Sequence, residues 1–199
     1  NMDGSDVKQI TDFSSAMPDW SPDGKQLVFQ SDHQNEPKDT PDIYMIDISG
    51  DNLVELLDDP EIIDYAAKWS PDGESILFVT QRTGKSELFL MDLEGNATQI
   101  TDSADPVVYG VLSPDGQKVA FQYNSAGRSD LYVMNLDGSD VVRLTTKGIN
   151  NNPAFSPDGT QIVYSSNQGG FWDLWIINMD GSGLIQLTND DFWDGSPNW

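Results

Sequence analysis

The string Ser-Pro-Asp-Gly occurs four times in this chain, beginning at Ser21, Ser70, Ser113 and Ser156, at intervals of 49, 43 and 43 residues. A large apolar residue precedes each copy: Trp20, Trp69, Leu112 and Phe155. The sequence reaches Trp199, 44 residues beyond Phe155, where a fifth copy would be due. A period of this length with a fixed turn signature describes one supersecondary unit stacked many times. Such an array offers a surface before it offers a reaction centre.

Superposing the copies defines the unit. After each turn comes a short apolar run, Leu27-Val28-Phe29, Ile76-Leu77-Phe78-Val79, Val119-Ala120-Phe121 and Ile162-Val163-Tyr164. A variable polar stretch leads to a second run introduced by an acid, at Asp42, Glu87, Asp130 and Asp173. A turn centred on Gly50, Gly95, Gly138 or Gly181 follows, and then a short third run such as Val142-Arg143-Leu144-Thr145. These runs are short, rich in β-branched and aromatic residues and bounded by turn chemistry, so they read as strands. Pro presets φ at the second turn position, and Gly supplies the positive φ of a hairpin exit. The middle runs are almost continuously apolar, which predicts cover on both faces, whereas the sheet of a free-standing sandwich would alternate. Four short antiparallel strands in about 43 residues, buried on both faces, describe the blade of an all-β propeller. A β-solenoid has shorter repeats and lacks two tight hairpins in each.

Composition narrows the partners. Thirty-three acids against 10 bases leave a net charge of -23, which disfavours nucleic acid and anionic membranes and favours basic proteins or cations. The chain has no cysteine, which excludes disulfides and thiolate chemistry and leaves the redox compartment open. No apolar run approaches the length of a spanning helix.

Trp-Ser-Pro-Asp-Gly, an apolar strand, then Asp-Leu-Trp-Ile-Ile-Asn-Met-Asp-Gly-Ser and a Leu-Thr ending resembles the TolB-type, WD-like propeller repeat. The resemblance covers essentially the whole chain. It implies a periplasmic or extracellular protein: a scaffold, a propeller joined to a peptidoglycan-binding module, or one that gates a serine peptidase. The true WD signature is absent, and Leu112 and Phe155 replace the usual Trp.

Asn1-Met2-Asp3-Gly4-Ser5-Asp6 matches Asn178-Met179-Asp180-Gly181-Ser182-Gly183 nearly letter for letter. We therefore expect an outermost strand over residues 1–11, four complete blades near 12–57, 58–101, 102–145 and 146–188, and an innermost strand within 189–199. The two end strands would contribute to a split blade that lacks its middle strands. Three arrangements follow: a piece of a six- to eight-bladed protein, a ring of two chains, or closure as four blades with the ends repacked.

In a propeller the two hairpin turns of every blade share one face. The loops between second and third strands share the other with the connections between blades. The second set varies here (Ser31 to Pro41, Gln81 to Ser86, Asn124 to Ser129, Asn167 to Trp172), and variable loops on a rigid scaffold carry specificity. Aromatics set among acids on that face, Tyr65, Tyr109, Phe171, Trp172, Phe192 and Trp193, are the candidate partner-binding residues. The competing reading is that such residues plug gaps between blades. The repeated acids at 42, 87, 130 and 173 read as backbone caps rather than cation ligands, because they recur in every blade.

No catalytic, cofactor or metal residues are assigned. His33 is the single histidine and lies in a polar loop, and there is no nucleophile elbow or phosphate loop. Calcium is the metal that suits hard oxygen ligands, but Asp190, Asp194 and Gly195 do not complete an EF-hand pattern and no locus is assigned. The expectation is a non-enzymatic, extracytoplasmic binding scaffold with a protein partner. The alternatives are an accessory or gating propeller of a secreted peptidase or carbohydrate-active enzyme, and a structural subunit that self-associates through open blade edges.

Overall fold

The computed structural model describes residues 5–33, 40–57, 59 and 61–199. Within them the chain forms sixteen strands and no helix. Blade one contains β1 (Ala16–Trp20), β2 (Gln26–Ser31), β3 (Asp42–Asp47) and β4 (Val54–Glu55). Blade two contains β5 (Asp64–Trp69), β6 (Ser75–Thr80), β7 (Glu87–Asp92) and β8 (Ala97–Gln99). Blade three contains β9 (Val107–Leu112), β10 (Lys118–Ser125), β11 (Arg128–Asn135) and β12 (Val142–Arg143). Blade four contains β13 (Asn150–Phe155), β14 (Gln161–Ser166), β15 (Asp173–Asn178) and β16 (Ile185–Gln186). Each blade is an antiparallel meander whose strands pair in sequence order. This is a β-propeller of four four-stranded blades. The first four residues of the expected outermost strand, residues 34–39 of the first variable loop, and residues 58 and 60 lie outside the described residues.

The repeated turn is held by its own side chains. In each copy the Ser hydroxyl donates to the Asp carboxylate, at 2.8 Å for Ser21–Asp23 and 2.6 Å for Ser156–Asp158. The same hydroxyl accepts the amide that opens the second strand, Gln26 N at 2.9 Å and Gln161 N at 3.0 Å. Where Lys25 and Ser21 both bind it, the Asp23 carboxyl is lowered to about 2. Pro22 lies beside Gly73, and Pro114 beside Gly159, so successive turns pack shoulder to shoulder. That face is scaffold.

The Leu-Thr ending also has a physical cause. The Thr101 hydroxyl accepts the buried amide of Leu88 at 2.9 Å and donates to Glu87. Thr145 repeats this with Leu131 N at 2.9 Å and Asp130 at 3.3 Å. Glu87 also accepts from Ser103 N and pairs with Lys85, while Arg143 reaches Asp130 at 2.6 Å. In blades two and three the acid that introduces the third strand thus ties the closing segment to its own sheet, and in blade four Asp173 accepts from Gln186 of the outer strand at 2.9 Å.

Between the blades lie apolar layers. Val28, Ile43, Trp69, Phe78 and Met91 join blades one and two; Leu77, Leu88, Leu112, Phe121 and Met134 join two and three; Leu131, Phe155, Ile162 and Tyr164 join three and four. Gly110 admits one of these contacts, since a Cβ there would come within 2.7 Å of Leu88. β1 and β13 are not in contact with each other, so the first and fourth blades do not pack together.

The chain ends are laid as the repeat would lay them. A left-handed residue kinks the inner strand three positions before its last aromatic at Met17, Ala66 and Asn152, and Ser196 adopts the same φ of 53°. Asp194 N donates to Trp172 O at 2.8 Å, as Asp64 N donates to Pro41 O and Val107 N to Ser86 O. At the other end Asp6 shares the positive φ of Asn52 and Asp140, and Ile10 O faces Gly50 as Ile100 O faces Gly138. Among the described residues neither end is paired into a sheet, so no fifth blade is formed here.

Candidate binding face

Hydrogen bonding separates the two faces of the array. On one, the two hairpin turns of a blade touch, with Ile48 N on Lys25 O and Leu136 N on Gln117 O, both at 2.9 Å. On the other, the loops between second and third strands bond to the between-blade connections: Gln81 N to Ile63 O, Asn124 N to Pro106 O, Asn167 N to Ile149 O. The variable loops of blades two, three and four are therefore braced by the scaffold rather than hanging from it.

Four of the six candidate aromatics lie on two segments that one backbone hydrogen bond joins. Phe171 and Trp172 end the loop of blade four, and Asp194 N, next to Phe192 and Trp193 in the chain, donates to Trp172 O. Phe171, Phe192 and Trp193 are 55%, 75% and 67% exposed, while Trp172 is half-buried. The Trp193 indole is laid on its own chain at Gly195, where a Cβ would sit 2.3 Å away. Asp190 accepts the Phe192 amide at 2.9 Å in a local turn, which fixes the approach of this segment. Asp190, Asp191 and Asp194 flank Phe192 and Trp193 in sequence, so the segment is both aromatic and acidic.

Tyr65 and Tyr109 lie elsewhere, on the inner strands β5 and β9, half-buried against the layer between blades two and three. Tyr65 donates to Ser86 Oγ at 3.2 Å, and burial pushes its phenol up. Tyr109 lines a central cavity of about 350 Å³ where the inner strands converge, and burial raises its phenol too. Their burial is what the gap-plugging reading describes.

That cavity holds residues that reading the repeats one at a time passed over. Asp19 accepts from Lys68 Nζ at 3.0 Å and from Trp69 N at 2.9 Å, which pins the first two inner strands to each other. Asp19 and Lys68 occupy the same repeat position, one before the aromatic. Opposite charges at one position of successive repeats were the available signal. Among the described residues no group of three or more His, Asp or Glu side chains is placed to hold a metal ion, and no helix is long and apolar enough to cross a membrane.

The sequence matches the profile of the TolB beta propeller domain over residues 1–112 and 107–199, which together span the whole chain. The chain belongs to the TolB beta propeller domain family. The solved TolB of Acinetobacter baumannii superposes on this TolB-type propeller with a TM-score of 0.84 at 26% identity, over 96% of this chain and 48% of that one. Among curated proteins, an uncharacterized peptidase of Bacillus subtilis, YuxL, is 37% identical over 93 residues, 47% of this chain and 13% of its own length. The Tol-Pal system protein TolB of Gluconobacter oxydans is 28% identical over 106 residues, 52% of this chain and 22% of its own. A puromycin hydrolase shares the fold, with a TM-score of 0.72 at 20% identity over 95% of this chain and 32% of that one. The TolB-type propeller described here thus spans under a quarter of the curated relatives it matches.

Proposed function

We propose that this TolB-type propeller is a non-enzymatic, extracytoplasmic binding scaffold that holds a basic protein partner on its variable loop face. The observation that carries this reading is the exposure of Phe171, Phe192 and Trp193 on segments tied to each other by a backbone hydrogen bond. Ordered aromatics lose little entropy on docking and dominate interface energies. The acids beside them in sequence and the net charge of -23 favour a cationic partner and speed its approach. The family supports the extracytoplasmic placement.

A second reading, an accessory propeller of a secreted peptidase, is favoured by the 37% identity to YuxL. One experiment weighs both. The protein is immobilised and challenged with an envelope extract of its source at low and moderate salt, beside a variant carrying Phe171→Ala, Phe192→Ala and Trp193→Ala. The scaffold reading expects a discrete basic protein retained by the native chain, released by salt and absent from the variant. Identical retention by the variant removes the patch from the argument. Retention of a hydrolase domain through the other face turns the choice to the accessory reading.

A further inference from the structure

The second and third strands set an aromatic pair opposite each other in every blade: Phe29 with Tyr44, Phe78 with Phe89, Phe121 with Tyr132, Tyr164 with Trp175. What covers the pair differs from blade to blade. In blade one Phe13, from the connection before the blade, lies 6.2 Å from Phe29 and stacks on His33 at 3.8 Å. In blade two the Arg82 guanidinium stands 5.5 Å from the Phe78 ring and 5.3 Å from Phe89. In blade three Ser103 takes the repeat position of Phe13 and Ser125 that of His33 and Arg82, so neither filler recurs, while Tyr123 stands 5.5 Å from Tyr132 and lines the same space. A cleft of about 340 Å³ opens there, between the closing segment of blade two and the sheet of blade three. Its walls include Ile100, Asp102, Phe121, Tyr132, Met134 and Val141.

We propose that this cleft binds a small aromatic ammonium ion. The ligand ring takes the place over Phe121 that Phe13 fills over Phe29. The two strand pairs match closely, with Phe29–Tyr44 at 5.9 Å and 20° and Phe121–Tyr132 at 5.7 Å and 22°. The ammonium lies beside Asp102, whose side chain is 90% exposed. Lys85 stands 3.6 Å from that carboxylate but 3.0 Å from Glu87, which is its nearer partner. A cation over this aromatic pair already has a counterpart within the molecule, the Arg82 guanidinium of blade two, and ring faces attract cations. The cleft is at the lower end of the size range of small-molecule sites.

The next junction supplies an internal comparison. A cleft of about 320 Å³ recurs between blades three and four, lined by Leu144, Tyr164 and Trp175, but Thr146 and Lys147 replace Asp102 and Ser103. It keeps the apolar wall and loses the acid, so it discriminates against the same ligand.

The test is a titration of the intact protein with phenethylammonium, phenethyl alcohol and hydrocinnamate, followed by NMR shifts of assigned residues. Phenethylammonium is expected to bind with a dissociation constant on the order of 1 mM, as befits a fragment of this size, and to shift signals of Phe121, Tyr132 and Val141. Asp102→Asn should weaken it about three- to fivefold, and Ser103→Phe should abolish it by restoring the filler. Because Ser103 also bonds Glu87, Val141→Trp at the exposed rim provides a second blocking variant with the same expected loss. Equal binding of all three probes, indifference to Asp102→Asn, or shifts centred on Trp175 would overturn the proposal.

Discussion

One repeat position has two fates in this molecule. Trp69, Leu112 and Phe155 are 7%, 7% and 8% exposed, whereas Trp20, at the same position of blade one, is 60% exposed. The far side of the array mirrors this: Leu144 is 6% exposed and its counterpart Leu187 is 50% exposed. The residues are equivalent and the backbone around them repeats. Only the neighbour differs, because Trp20 faces the side where a preceding blade would lie and Leu187 the side where a following one would. A blade covers neither of its faces alone, so stability in an array accrues at junctions rather than within units. Exposed aromatics near either flank must be read against that rule. Phe192 and Trp193 sit close to the open side of blade four, while Phe171 belongs to a loop that neighbour-burial does not govern.

The largest effect expected from this contrast concerns the tryptophans. Trp69→Ala should cost about 3–5 kcal/mol, the range for emptying a packed aromatic site, whereas Trp20→Ala should cost less than about 1 kcal/mol. Denaturant unfolding of both variants measures the difference, and equal losses would mean that a blade is stable without its junctions. The threonines give a smaller version. Leu131 N donates to the buried Thr145 hydroxyl and Leu174 N to the half-buried Thr188 hydroxyl, both at 2.9 Å. Thr145→Val leaves a buried amide unpaired and should cost about 1–3 kcal/mol. Thr188→Val should cost less, since water reaches that amide, and a reversed order would break the comparison.

The smallest effect carries the opposite sign. Asp64 is fully buried, with Thr80 beside it and the Arg82 guanidinium 3.5 Å away, and neither contact reaches good hydrogen-bond geometry. Burial pushes its carboxyl up, an effect that Thr80 and Arg82 only partly offset. A folded value above the unfolded one means that the ionised group costs stability at neutral pH. The cost fades as pH falls through the raised value and is gone below the ordinary 3.8. Asn150 holds the equivalent place in blade four and spends its amide on Ser129 O and Lys147 O. Asp64→Asn should therefore stabilise by less than about 2 kcal/mol at pH 7, with the gain vanishing in acid. Unfolding midpoints measured across pH decide it, and a gain that persists below pH 3.8 would point to a different cause.

Much of this was legible in the chain. The Ser-Pro-Asp-Gly spacing, the apolar runs and the acid before each third strand located the strands of the four blades, because a hairpin is a local object whose turn residues are written in order. The strands expected within 1–11 and 189–199, by contrast, are not paired into a sheet among the described residues. The aromatic candidates were legible as residue types but not as a group. Tyr65 and Tyr109 look like Phe171 and Trp193 in the string, yet they lie on inner strands that the neighbouring blades cover. The Asp19–Lys68 pair spans 49 residues, and the cleft at Phe121 depends on two serines set against Phe13 and Arg82 in other repeats. Neither shows in any single window.

The sequence by itself determined the unit: its length, its turns, its strand order and the apolar pattern that demands cover on both sides. Tertiary structure alone decided which of four near-identical units is covered, which aromatic faces water, and where a missing filler leaves a cleft. The physical reason is that hairpin geometry is set by residues a few positions apart, while burial is set by whatever stands beside the sheet.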